Sequence, residues 1–184
     1  MDVKPTIIPD IKVIFPRIFD DERGSFSETY KKWVLEEAGI VVEFIQDNRS
    51  HSVRPFTVRG LHYQLAPEAQ AKLVSVQRGR IYDVAVDLRL SSPTFGRHVG
   101  VELSAEKGEQ IFIPVGFAHG FCTLEPDTVV TYKVGGRYAP SLERGLHWLT
   151  PAFDIAWPCD PAVAQLSAKD ARLPDRVDPD ACFP

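Results

Sequence analysis

The sequence predicts an all-β barrel or sandwich, on three observations. Short apolar runs recur at close, regular spacing. Within them the apolar residues alternate with period two. Glycine and proline punctuate the intervals between runs.

The expected strands are 42–48 (VEFIQDN), 57–64 (TVRGLHYQ), 97–104 (RHVGVELS), 109–116 (EQIFIPVG), 120–125 (GFCTLE) and 128–134 (TVVTYKV). Residues 71–90, AKLVSVQRGRIYDVAVDLRL, read as two strands around Arg78-Gly79, a hairpin signal because glycine tolerates the turn dihedrals. In the second of these, Tyr82, Val84, Val86 and Leu88 share one face; Asp83, Ala85, Asp87 and Arg89 share the other. One helix is predicted at about 27–38, with Ser27 suited to cap it and Gly39 to its exit. Beyond Trp157 the chain is rich in Pro and Asp. Residues 160–171 accommodate a short helix or two, and the stretch from about Val177 to Pro184 reads as an extended arm.

A chain of 184 residues favours one domain with a real core, spanning 1–184, its barrel at about 40–150 and a C-terminal arm at about 158–184. Apolar residues at 44% and charged residues at 25% suit a globular protein. The net charge of −4 provides no basic field for nucleic acid, so any phosphate must be met by a few local cations. Cys122, Cys159 and Cys182 are odd in number and far apart, which argues against a disulfide framework or zinc finger and for a reducing cytoplasm. The N-terminus shows no signal-peptide pattern, and no apolar run approaches the ~18 residues of a membrane helix.

The stretch TVRGLHYQL (57–65) sets a histidine in a strand. Taken alone, His62 is packing, a metal ligand or an acid–base group. Residues 108–121, GEQIFIPVGFAHGF, carry Gly108, Pro114-x-Gly116 and His119, a spacing that resembles the second motif of the cupin superfamily. The first motif then falls at His62-Tyr63-Gln64, where metal-binding cupins carry His-x-His. Gln64 breaks that ligand set, and a divalent metal usually wants three or more good protein ligands. No metal is therefore expected.

Seven ordered blocks narrow the resemblance: DERGSFSETY (21–30), FIQDNRSHS (44–52), VRGLHYQ (58–64), AKLVSVQRGRIYDVAVDLR (71–89), IPVGFAHGF (113–121), TYKVGGRYAPSLERGLHW (131–148) and LSAKDARLP (166–174). Together they closely resemble the dTDP-4-dehydrorhamnose 3,5-epimerases, the RmlC-type cupins. That resemblance implies a cupin-type double-stranded β-helix barrel, or jelly roll, with a short N-terminal helix and small C-terminal helical segments. It implies epimerisation at C3 and C5 of a dTDP-linked 4-keto-6-deoxyhexose without a cofactor. The alternatives are a single-carbon epimerase, a metal-dependent cupin oxygenase or isomerase, and a binding cupin without catalysis.

Such chemistry needs a base on one face of the sugar, a proton donor on the other and support for an enolate oxygen. By resemblance, His62 is the base, since imidazole titrates near neutral pH, and Asp170 is its carboxylate partner. Tyr132 is the opposite-face acid, and Lys72 supports the C4 oxygen. Arg23, Glu28, Gln46, Asn48, Arg59, His119, Tyr138, Glu143 and Lys169 match substrate contacts. Arginines suit a diphosphate, and Tyr138 stacks on the base. His119 and Asp83 are candidates for a second imidazole–carboxylate pair. The segment with Arg23 and Glu28 reaches a neighbouring subunit's site, which implies a homodimer. Gly135-Gly136-Arg137 departs from the bulkier residues common in the family. Strict alternation sets Gly60, His62 and Gln64 on one face, with Gly60 giving the sugar room, and turns Arg59 away unless the strand bulges at Gly60.

Overall fold

Apolar alternation along many strands is satisfied when sheets stack face to face. The computed structural model, which describes residues 1–184, stacks two. The first sheet runs, in spatial order, β1 (Asp2–Pro5), β2 (Lys12–Phe15), β10 (Gln110–Ile113), β7 (Lys72–Arg78), β12 (Thr128–Val134) and β5 (Gln46–Ser52). The second runs β13 (Glu143–Gly145), β6 (Val58–Gln64), β11 (Phe117–Thr123), β8 (Arg80–Asp87) and β9 (His98–Ser104). Within both sheets every strand pair is antiparallel, and the two close as a jelly roll. The remaining strands, β3 (Ile18–Asp21) and β4 (Gly24–Ser27), form a separate hairpin on the surface.

The core lies between the sheets. Val74, Val76, Ile111, Ile113 and Val130 from the first meet Ile81, Ala85, Val99, Leu103, Phe117 and Phe121 from the second, with Ile8 and Ile11 also packed in. Each fully buried side chain of this kind contributes roughly 1.5–3 kcal/mol. The outer face of the second sheet is covered too: Leu61, Tyr63, Val84, Val86 and Leu88 pack against Leu146, Phe153, Cys182 and Phe183 of the C-terminal segments. Thus β8 is buried on both faces. Its Tyr82/Val84/Val86 face looks outward to this layer, and its Asp83/Ala85 face looks into the barrel.

Several expectations are corrected. Residues 71–90 are not a hairpin, because β7 pairs with β10 and β12 whereas β8 pairs with β11 and β9. Gly79 is instead the corner between sheets, with φ +78° and no room for a Cβ, which would sit 2.5 Å from Thr128 Oγ1. The strand expected at 42–48 runs from Gln46 to Ser52. Its second half is polar because β5 is an edge strand: Arg49 and His51 are exposed, and Ser50 lines a hollow rather than the core. The helix is only Lys32–Glu37 (α1); Ser27 ends β4 and does not cap it. Its exit is as expected: at φ +79°, Gly39 donates to Glu36 O and Ile40 donates to Leu35 O, the paired bonds of a Schellman motif. The first sheet also takes in Asp2–Pro5 and Lys12–Phe15, ahead of residue 40. The tail holds two 3-10 turns, Asp170–Arg172 and Pro179–Ala181. The extended arm docks, with Phe183 bonded to the backbone of Leu88 and Leu90. No helix is long and apolar enough to cross a membrane.

Candidate active site

Where β6 crosses β11, the ladder slips. His62 lies opposite His119, but Arg59 lies opposite Phe121, so an extra residue is accommodated between them. The slip is at Gly60, whose φ is +112° and whose absent Cβ would lie 2.6 Å from Gly120 Cα and His119 O. Glycine is needed here for the approach of β11, not to give a ligand room. The bulge cancels strict alternation and turns Arg59 to the same side as His62.

Two adjoining hollows, about 390 and about 260 Å³, share His62, Lys72 and Tyr132. The larger adds Gln46, Asn48, Gln64, Tyr138 and Glu143; the smaller adds Arg59, His119, Lys169 and Asp170. His62 comes from one sheet while Lys72 and Tyr132 come from the other, so the imidazole and the phenol occupy opposing walls.

Asp170, 4% exposed at the start of its 3-10 turn, holds His62 Nε2 at 2.7 Å. Its own N–H donates to Ser167 Oγ. Burial raises the Asp170 carboxyl, but the His62 contact, together with Ser167 and Lys169, outweighs it and leaves the group below the usual carboxylate range. Asp170 is thus a fixed anion that leaves Nδ1 of His62 for other work. Behind, Asp83 and His119 form a second pair at 2.8 Å, and both are buried. Burial pulls His119 below the usual imidazole value against the opposing pull of Asp83, which keeps the ring neutral.

Lys72 Nζ lies 3.4 Å from the His62 carbonyl. Burial lowers its amine to about 8, with Asp83 and Glu143 pulling it back up. Burial raises the Tyr132 phenol, offset in part by Arg59, so it stays protonated at neutral pH. Arg59 donates to Ser52 Oγ and His51 O. Gln46 donates to Asn48 Oδ1. Glu143 accepts from the Tyr138 hydroxyl at 2.9 Å and pairs with Lys169 at 2.7 Å.

Two of the expected residues are absent from both hollows. Arg23 lies at the tip of the β3–β4 hairpin, bonded to Asp21, with its side chain 90% exposed. Glu28 pairs with Lys31. Sequence reasoning passed over Ser50 and Ser167, and gave Gln64 no task beyond breaking the metal-ligand set. The period-two series Gln46, Asn48, Ser50 could have found Ser50, and the serine three residues before Asp170 could have found Ser167. Two of Gln64's three partners, Arg137 O and the Ala139 N–H, are remote in sequence and left no signal. Ser50 Oγ and Asp83 Oδ1 are buried without a protein partner. Nowhere do three or more His, Cys, Asp or Glu side chains converge to hold a metal ion.

The match to known proteins is extensive. The family model for dTDP-4-dehydrorhamnose 3,5-epimerase matches residues 5–177. An enzyme of that name from Shigella flexneri is 49% identical over 181 residues, 98% of each chain. The crystal structure of the Bacillus anthracis enzyme of that name, with TDP and pyrophosphate bound, superposes with a TM-score of 0.91 at 47% identity, covering 94% of this chain and 98% of the other. The Legionella pneumophila dTDP-6-deoxy-D-glucose-3,5-epimerase, in complex with dTDP-4-keto-L-rhamnose, gives 0.92 at 44% identity, covering 99% and 97%.

Proposed function

The chain belongs to the dTDP-4-dehydrorhamnose 3,5-epimerase family, and from that premise we propose that it converts dTDP-4-dehydro-6-deoxy-D-glucose to dTDP-4-dehydro-L-rhamnose. The observation that carries the reading is the His62–Asp170 pair, 2.7 Å apart, set on the wall opposite Tyr132. The C4 ketone acidifies the hydrogens at C3 and C5. Nδ1 of His62 removes one of them, and Asp170 stabilises the imidazolium that results. The electron pair moves to the C4 oxygen, where the Lys72 ammonium meets it. Tyr132 delivers a proton to the carbon from the other side, inverting it. His62 then loses its proton to solvent and Tyr132 regains one, so the formula is unchanged and each inverted carbon carries a solvent hydrogen. Arg59 and Lys169 supply local positive charge for the diphosphate in an acidic protein.

The single-carbon alternative is less favoured. Relatives named as 3,5-epimerases reach 49% identity, whereas a 3-epimerase from Streptomyces niveus is 36% identical. The test is the reaction in D2O, read by NMR. Deuterium at both C3 and C5 is expected; deuterium at C3 alone would establish the alternative, and none at either carbon would leave a binding protein.

The hairpin points to a homodimer. Ile18, Phe19 and Phe26 are exposed, although a two-stranded hairpin is marginal in water by itself. In the proposed dimer it rests on the second copy and carries Arg23 and Glu28 to that copy's site. Sedimentation should give twice the monomer mass; a monomer that binds TDP tightly would refute this arrangement.

A further inference from the structure

Gln64 stands where a metal-binding cupin would place an imidazole, and its side chain has a different task. It is 4% exposed and its amide is fully engaged. Nε2 donates one hydrogen to Arg137 O, at 2.7 Å, and the other to Glu68 O. Oε1 accepts from the Ala139 N–H at 2.8 Å. The two loop contacts bracket Tyr138. That tyrosine is 57% exposed, yet its backbone is clamped on both sides by a buried side chain, and its hydroxyl is tied to Glu143. Glu143 is itself the ladder partner of Gln64. An imidazole could not do this, since it has two nitrogens for three backbone groups.

The loop ahead of Tyr138 is seated by other means. Gly135 N–H donates to Ala71 O, Gln70 Nε2 to Gly136 O, and Arg137 N–H to Glu68 Oε2. A Cβ on Gly135 would lie 2.6 Å from Val42 Cγ1, and one on Gly136 would lie 2.7 Å from Ala69 O. The small residues of this loop let it lie flat on residues 68–71, within reach of Gln64.

We infer that Gln64 is a positioning residue for nucleotide binding: its amide clamps residues 137–139 so that the Tyr138 ring is held out as a ready platform for the base. The inference rests on the reading of Tyr138 as the base-stacking residue. An exposed ring held in place before the ligand arrives loses little freedom on binding, which is where preorganisation raises affinity. Gln64 therefore acts on affinity and leaves the proton transfers to His62 and Tyr132.

The test is calorimetric titration with TDP alongside steady-state kinetics. Gln64→Leu keeps the volume and removes all three bonds; Gln64→Glu keeps the acceptor for Ala139 but sets a carboxylate against two carbonyls. Both should weaken TDP binding and raise KM about fivefold or more, with kcat within about threefold. Tyr138→Ala should weaken TDP about tenfold, and adding Gln64→Glu to it should cost little more. A double variant as weak as the product of the two effects would overturn the inference, since Gln64 would then act elsewhere. So would Gln64 variants that bind TDP normally while Tyr138→Ala does not. If Tyr138→Ala itself binds TDP normally, the base-stacking reading falls and the inference with it. Should Gln64→Leu fail to fold, Gln64→Glu carries the same comparison.

Discussion

Asp170→Asn is the sharpest perturbation of the proposed mechanism. Asparagine has the shape of aspartate, and the Asp170 N–H bond to Ser167 Oγ does not involve the side chain, so the turn should survive. What changes is the 2.7 Å contact with His62 Nε2. If the new amide NH2 faces the ring, Nε2 must accept; the ring proton then moves to Nδ1 and the base is blocked. If the amide oxygen faces it, the tautomer is kept but the negative charge is gone. Two unit charges with centres ~4 Å apart interact by about 4 kcal/mol at an effective dielectric constant of ~20. The transition state develops that pair, so the barrier should rise by about that amount, or about 10³-fold in kcat. The same change in a Ser-His-Asp triad costs about 10⁴-fold. The assay is deuterium incorporation at C3 and C5 by NMR, with TDP affinity measured in parallel. A variant that binds TDP normally and keeps kcat within tenfold of the parent would refute the role of the pair.

Other outcomes follow from the same geometry. Tyr132→Phe removes the phenol proton that the mechanism delivers from that wall; inverted product should fall ~10²-fold or more, while NMR still detects slower hydrogen exchange at the position facing His62. Lys72 is charged below its pKa of about 8 and neutral above it. The kcat profile should therefore fall as pH rises through about 8, and Lys72→Arg should remove that limb. Tyr132, raised by burial, does not titrate there. Gly79→Ala puts an L-residue at φ +78° against Thr128. It should destabilise by about 1–2 kcal/mol, lowering Tm by roughly 2–8 °C in a chain of this size.

Strand identity was legible where the strand faces a core. In β8 and β12 the alternating apolar residues announce themselves, because burial on a pleated sheet demands period two. It was misplaced in β5, read at 42–48 instead of Gln46–Ser52 because the strand's own residues are polar, and illegible in the short β1 to β4, which carry too little pattern. The helix start was misread because Ser27 has a capping side chain, yet the hairpin takes it first. The Gly39 exit was read well, since a left-handed residue after a helix is a local requirement that needs no partner.

The chemistry divides along the same line. The family resemblance carried by the ordered blocks was enough to nominate His62, Asp170, Tyr132 and Lys72; residue type alone would have left Asp170 an ordinary surface acid. Local sequence also pointed to a glycine-centred irregularity at Gly60. Pairing is another matter. His62 and Asp170 are 108 residues apart and His119 and Asp83 are 36 apart, and only closure of the two sheets sets each pair within hydrogen-bond distance. The Arg78-Gly79 corner looked like a hairpin because glycine permits both; which sheet each flanking strand joins depends on partners far along the chain. Gln64 is the clearest case. Its identity excluded a histidine ligand at once, but its three backbone partners lie in two separate segments, so its clamp on the Tyr138 loop exists only in the folded protein.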